Sequence, residues 1–131
     1  MEERYPNVGF SAETVATPTE FLRDTHVIRK GITISSAARD AGNTGKTTTL
    51  RPGLVLGEIT ASGKYKEYYP SGSDGSEVAA GILEDQVKVI DSDANACDAM
   101  ASMIVHGRVN ESALLLCDAA AKSDLPAIIF D

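Results

Sequence analysis

From residue 26 onward, apolar side chains mostly alternate with polar ones, the spacing of strands with one buried face. Residues 26–34 are rich in β-branched side chains and place Ile32 and Ile34 on one face. A loop is predicted over residues 37–46, where Asp40, Gly42, Asn43 and Gly45 accumulate. Short strands are predicted at 47–50, 54–60 and 65–69, broken by Arg51-Pro52-Gly53 and by a turn at 61–64. The turn formers from Pro70 to Gly75 predict a hairpin closing onto residues 77–83. Residues 85–90 put Val87 and Val89 on one face, an acidic loop follows at 91–95, and residues 103–109 alternate as a half-buried strand. One segment reads as helical: Asn110 caps a run through residue 121, with Glu111 at the positive end of the helix dipole. Residues 125–130 predict a last short strand. The pattern as a whole predicts a mainly β fold, a small β-rich α+β domain with one short C-terminal helix.

The alternation fails before residue 22. Residues 1–21 carry Pro6, Pro18 and scattered apolar side chains: Tyr5, Val8, Phe10, Val15 and Phe21. Such a segment buries too little apolar surface to offset its own ordering entropy. It predicts an extended N-terminal arm over residues 1–21 that orders against another surface, ahead of a body over residues 22–131. An ordinary frayed terminus is the plainer alternative.

Composition narrows the function. At 131 residues, 43% of them hydrophobic, the chain is large enough for one domain with a true core. Aromatics make up only 5% and Trp is absent, so that core must be aliphatic. No apolar run spans a bilayer, and the N-terminus lacks the basic start and apolar stretch of a signal peptide. Synthesis in a cytoplasm is therefore expected, with Cys97 and Cys117 as reduced thiols rather than a disulfide. A net charge of −7, without a basic cluster, argues against direct nucleic-acid binding.

Candidate chemistry is sparse. Gly42-Asn-Thr-Gly45-Lys46-Thr47 ends like a phosphate-binding loop, but the first required glycine falls on Asp40, whose carboxylate would repel a phosphate. The following Thr47-Thr48-Thr49 favours strand, and Pro52 would break the helix that such a loop must open. His26 and His106 lie in predicted strands with no second ligand or nucleophile at a useful spacing. Asp91, Asp93 and Asp98 lack the glycine and terminal Glu of a calcium loop. No catalytic residue, metal site or cofactor is expected, and the chain reads as a structural protein rather than an enzyme.

The order of turns and strands is more informative than any single site. Leu50-Arg-Pro-Gly53-Leu-Val-Leu-Gly57 leads to Gly63-Lys-Tyr65; then come Ser73-Asp74-Gly75, Gly81-Ile-Leu83, and Val105-His-Gly107-Arg-Val109-Asn-Glu111-Ser-Ala-Leu114. This series resembles the lambda head decoration protein D family over roughly residues 22–131. Two departures stand out: the loop at 37–46 is longer than the short turn expected there, and residues 91–101 look like a polar insertion. The resemblance implies a β-clip or β-tulip-like domain that forms homotrimers on the outer surface of a phage head. There it would bind the major capsid protein at threefold and quasi-threefold sites of the expanded lattice, cementing it against packaged DNA. It also gives the arm a role, docking on the capsid through Tyr5, Val8, Phe10, Val15 and Phe21. A tail or tail-tip component, or a surface module binding host glycans through loops 71–76 and 91–95, is the rival expectation.

Overall fold

The structure, a computed structural model, describes residues 21–22 and 26–131. Eight strands are present among the described residues: β1 Ile28–Ile34, β2 Thr49–Leu50, β3 Val55–Glu58, β4 Tyr65–Glu67, β5 Ala79–Leu83, β6 Val87–Lys88, β7 Ala99–Val109 and β8 Ile128–Phe130. A 3-10 turn at Glu111–Ala113 and one α-helix, α1 at Ala119–Asp124, lie between β7 and β8. The fold is mainly β with one short helix, as the alternation predicts.

The main sheet runs β1-β4-β3-β5-β7-β8, and β1 also pairs with β7. That extra pairing closes β1, β4, β3, β5 and β7 into a small barrel, with β8 added in parallel to the far end of β7. Closure removes most of the open sheet edge on which another chain could pair. The longest seam is antiparallel, from Arg29 opposite Ile104 to Ile34 opposite Ala99. The β2–β6 ribbon stands apart from the barrel.

The pleat divides the core in two. Ile32, Ile34, Leu56, Tyr65, Leu83 and Met103 come from all five barrel strands and pack into one cluster, the barrel interior. The β2–β6 ribbon region contributes Leu50 and Val89 to it. The neighbouring residues Val55, Ile82 and Ile104 point the other way, joining Phe21, Tyr68, Ala121, Leu125 and Ile128 in a second cluster beneath α1 and β8. Strand 103–109 is thus buried on both faces over Met103 and Ile104, rather than half-buried as its alternation suggests.

Three elements differ from expectation, each for a physical reason. Residues 65–69 and 77–83 do not form a hairpin, because β3 lies between β4 and β5 and pairs with both. Val55, Leu56 and Gly57 are all buried, so β3 needs a partner on each edge, and the turn at 70–76 must reach over it. The helix begins at Ala119 rather than near Glu111, since Leu115 instead exchanges backbone hydrogen bonds with Gly53 and Val55. Strand β7 begins at Ala99, so the last residues of the polar stretch 91–101 belong to the barrel.

Two glycines show why the turn series is as it is. A Cβ on Gly57 would sit 2.6 Å from the Ser76 carbonyl oxygen, where the 70–77 loop crosses β3. Gly75 holds φ +110°, and a Cβ there would strike Thr60 and the Glu58 carbonyl.

Candidate functional site

The described residues begin at Phe21. That side chain is only 3% exposed and packs in the cluster under α1 and β8. Its carbonyl accepts a hydrogen bond from the Asn110 N–H at 2.6 Å, and Leu22 forms an antiparallel bridge with Val109. The end of β7 therefore clamps the chain at residues 21–22. Phe21, expected as an arm anchor, is a buried member of this core cluster. The other expected anchors, Tyr5, Val8, Phe10 and Val15, lie outside the described residues.

Asp40, which spoils the phosphate-loop motif, has a structural role instead. It is 2% exposed, and Arg51 donates to it through Nε at 2.7 Å and Nη2 at 3.0 Å. Burial pushes its pKa up, but the hydrogen bonds from the Arg51 side chain and backbone outweigh that and hold it below the ordinary carboxylate value. The loop that follows leads into β2 and not into a helix, so it offers no helix N-terminus to a phosphate.

The remaining reactive groups are spent locally. Asp74 accepts from the Ser76 N–H at 3.0 Å and hydroxyl at 2.5 Å, which holds its pKa down and pins the turn. Asp91 accepts from the N–H groups of Asp93 and Asn95, both at 2.9 Å, so its carboxylate shapes the acidic loop. His26 and His106 stack edge to face with ring centroids 6.1 Å apart. Cys97 and Cys117 are free and half-buried, and burial followed by the nearby Glu111 carboxylate raises the Cys117 thiol, the opposite of an activated nucleophile. Among the described residues no three His, Cys, Asp or Glu side chains gather as a metal site, and no helix is long and apolar enough to cross a membrane.

What remains is surface. Met100 is 86% exposed on the outside of the β1–β7 seam, opposite Thr33. Sequence reasoning missed it because residues 91–101 read as a polar loop; the small inward-facing Ala99 and Ala101 on either side are the signal that turns Met100 outward. Leu116 is a second exposed apolar residue, held at φ +64° beside a cavity of ≈ 420 Å³ lined by Tyr68, Pro70, Leu114 and Cys117. These side chains suit contact with another protein surface rather than chemistry.

Comparison with known proteins gives the closest support for that reading. The model of the family described as bacteriophage lambda head decoration protein D matches residues 15–127. No curated protein matches the chain.

Proposed function

Since the chain belongs to the bacteriophage lambda head decoration protein D family, we propose that it acts as a cement on the expanded phage head. As a family member it is a head decoration protein, a structural component of the virion capsid. The finer reading is that it assembles as homotrimers at threefold and quasi-threefold sites. There it ties neighbouring major capsid subunits together against the pressure of packaged DNA. The observation that carries this reading is the family match, which runs from within the arm through α1. The closed barrel supports it, because a body with few open sheet edges can crowd at high density on a lattice without strand pairing between copies.

Attachment is assigned to the arm. Residues 1–20 would pair their backbone with an exposed capsid strand while Tyr5, Val8, Phe10 and Val15 fill apolar pockets. Three arms on one trimer raise the effective concentration of each, so weak single contacts add to firm binding. Because the trimer would bind the expanded lattice and not its alternatives, mass action then stabilises that state.

The test is deletion of residues 2–20, which leaves Phe21 in the core. The truncated chain is expected to keep a mass three times that of its own shortened monomer, and to leave undecorated heads bare by electron microscopy. Full occupancy by the truncated chain would overturn the role of the arm. Decorated heads should also outlast bare ones under heat or chelator; equal survival would overturn the cement reading. Density for the protein on the tail rather than the head would assign it elsewhere on the particle.

A further inference from the structure

The near miss to a phosphate loop lines a cavity of a different kind. Residues 43–49 and the β2–β6 ribbon border a surface cavity of ≈ 570 Å³, whose polar wall includes Asn43, Lys46, Thr49, Arg51, Gln86 and Lys88. Every charged side chain lining it is cationic, although acids outnumber bases 19 to 12 in the whole chain.

The wall is fixed before any ligand arrives. Thr49 lies opposite Lys88 in the ribbon. The Asn43 side-chain amide donates to the carbonyls of Lys46 at 3.1 Å and Thr49 at 2.9 Å, which ties the loop to the ribbon. Arg51 is held by Asp40, so its charge is already balanced. Lys46 and Lys88 are different. Lys64, Lys66 and Lys122 pair with carboxylates, and Lys30 donates to the Tyr65 hydroxyl. Lys46 and Lys88 have no anionic partner among the described residues.

We propose that this cavity receives a carboxylate-bearing segment of the capsid surface, giving the body a docking point of its own beside the arm. The inference rests on the cement reading above. Charge complementarity names the occupant: two ammonium groups without an anionic partner among the described residues, on a hydrogen-bonded polar wall, suit one or two Asp or Glu side chains. Duplex DNA is a poorer fit. Its phosphates recur every ~1.7 Å along the helix axis and call for a stripe of cations, whereas this cavity offers Lys46 and Lys88 beside an Arg51 already paired with Asp40, on a chain of charge −7. The contact would speed and orient landing of the trimer, and would weaken as salt rises.

The experiment titrates the full-length chain onto undecorated expanded heads at several salt concentrations. It compares wild type with Lys46→Glu/Lys88→Glu, with Lys46→Gln/Lys88→Gln, and with a control reversal of equal charge, Arg108→Glu/Lys122→Glu. Both lysines of the cavity are exposed, so the first two variants should keep the wild-type melting transition and mass. The expected result is at least tenfold weaker head binding by the cavity reversal, a smaller loss for the glutamine pair with a flatter salt dependence, and near wild-type binding by the control. Wild-type binding by the cavity reversal overturns the proposal, as does an equal loss in the control, which would assign the effect to overall charge. A change in oligomer mass on reversal also overturns it, making the occupant a second copy. Retention of a duplex DNA probe that disappears on reversal overturns it in favour of nucleic acid. If wild type itself fails to bind heads, the cement reading falls first and this inference with it.

Discussion

At Asp40 a carboxylate that is 2% exposed stays charged because Arg51 reaches it with two side-chain N–H groups and its backbone N–H adds a third at 3.2 Å. The Asp40 backbone N–H in turn bonds the Thr47 carbonyl at 2.9 Å, so one residue fixes both ends of the loop ahead of β2. Replacing it with Asn keeps the shape and removes the charge, leaving the Arg51 guanidinium short of its partner. The expected cost is about 2 kcal/mol, below the range for a fully buried pair because the Arg51 side chain is 37% exposed. The pH dependence follows from the direction of the shift. The folded-state pKa is depressed, so the ion pair adds stability above the ordinary carboxyl range and loses it as pH falls through the folded value. Urea midpoints for wild type and Asp40→Asn should therefore differ at about pH 7 and draw together as pH falls below the ordinary carboxyl range. A gap that stays constant would mean that packing, not charge, carries the effect. The sequence marks this residue only as a defect in a phosphate loop, since its partner is eleven positions away in a segment that reads as a turn.

Among elements, the stretch from Glu111 to Asp124 shows where local pattern loses to tertiary contact. Asn110 does cap as its residue type predicts, its Oδ1 accepting from the Ser112 N–H at 3.3 Å, but the turn that it opens is 3-10 and ends at Ala113. Leu115 N–H then bonds the Gly53 carbonyl at 3.0 Å and Val55 N–H bonds the Leu115 carbonyl at 3.1 Å. A helix through Leu115 would forfeit both, and the alanine- and leucine-rich composition gives no hint of a partner some sixty residues earlier. The chain restarts its helix at Asp118, whose Oδ1 accepts from the Ala121 N–H at 2.8 Å and from the buried Tyr68 hydroxyl at 3.1 Å. Asp118→Ala is expected to cost about 2 kcal/mol, a lost cap plus an unsatisfied hydroxyl. Asn110→Ala should cost nearer 0.5 kcal/mol, since its cap serves one exposed turn. Paired with Tyr68→Phe, Asp118→Ala should cost about 1 kcal/mol less than the two single changes summed, as read in denaturation cycles; strict additivity would show that the two side chains do not interact.

For the whole molecule, alternation made the strands legible and could not make the closure legible, because the seam joining β1 to β7 pairs residues some seventy positions apart. The same limit applies to function: the series of turns pointed to the family, while the cationic cavity is built from a loop, a ribbon and Arg51 that only the fold brings together. The same limit shows at Phe21. By composition Phe21 is one more apolar residue of the arm; in the fold it fills the cluster beneath α1, and its backbone and that of Leu22 are tied to the end of β7. Stability and head binding should then separate on either side of this residue. Deleting residues 2–20 removes none of the described core contacts and should leave the melting temperature within a few degrees of wild type while abolishing attachment. Phe21→Ala in the full-length chain opens a cavity worth about 3 kcal/mol, a drop of about 10 °C in Tm for a body of this size. Well below that transition it should still decorate heads, because every residue before it is present. The two variants thus exchange phenotypes, one stable and unattached, the other attached and less stable. A Phe21→Ala chain that melts like wild type yet leaves heads bare would make Phe21 a capsid contact rather than the first residue of the core.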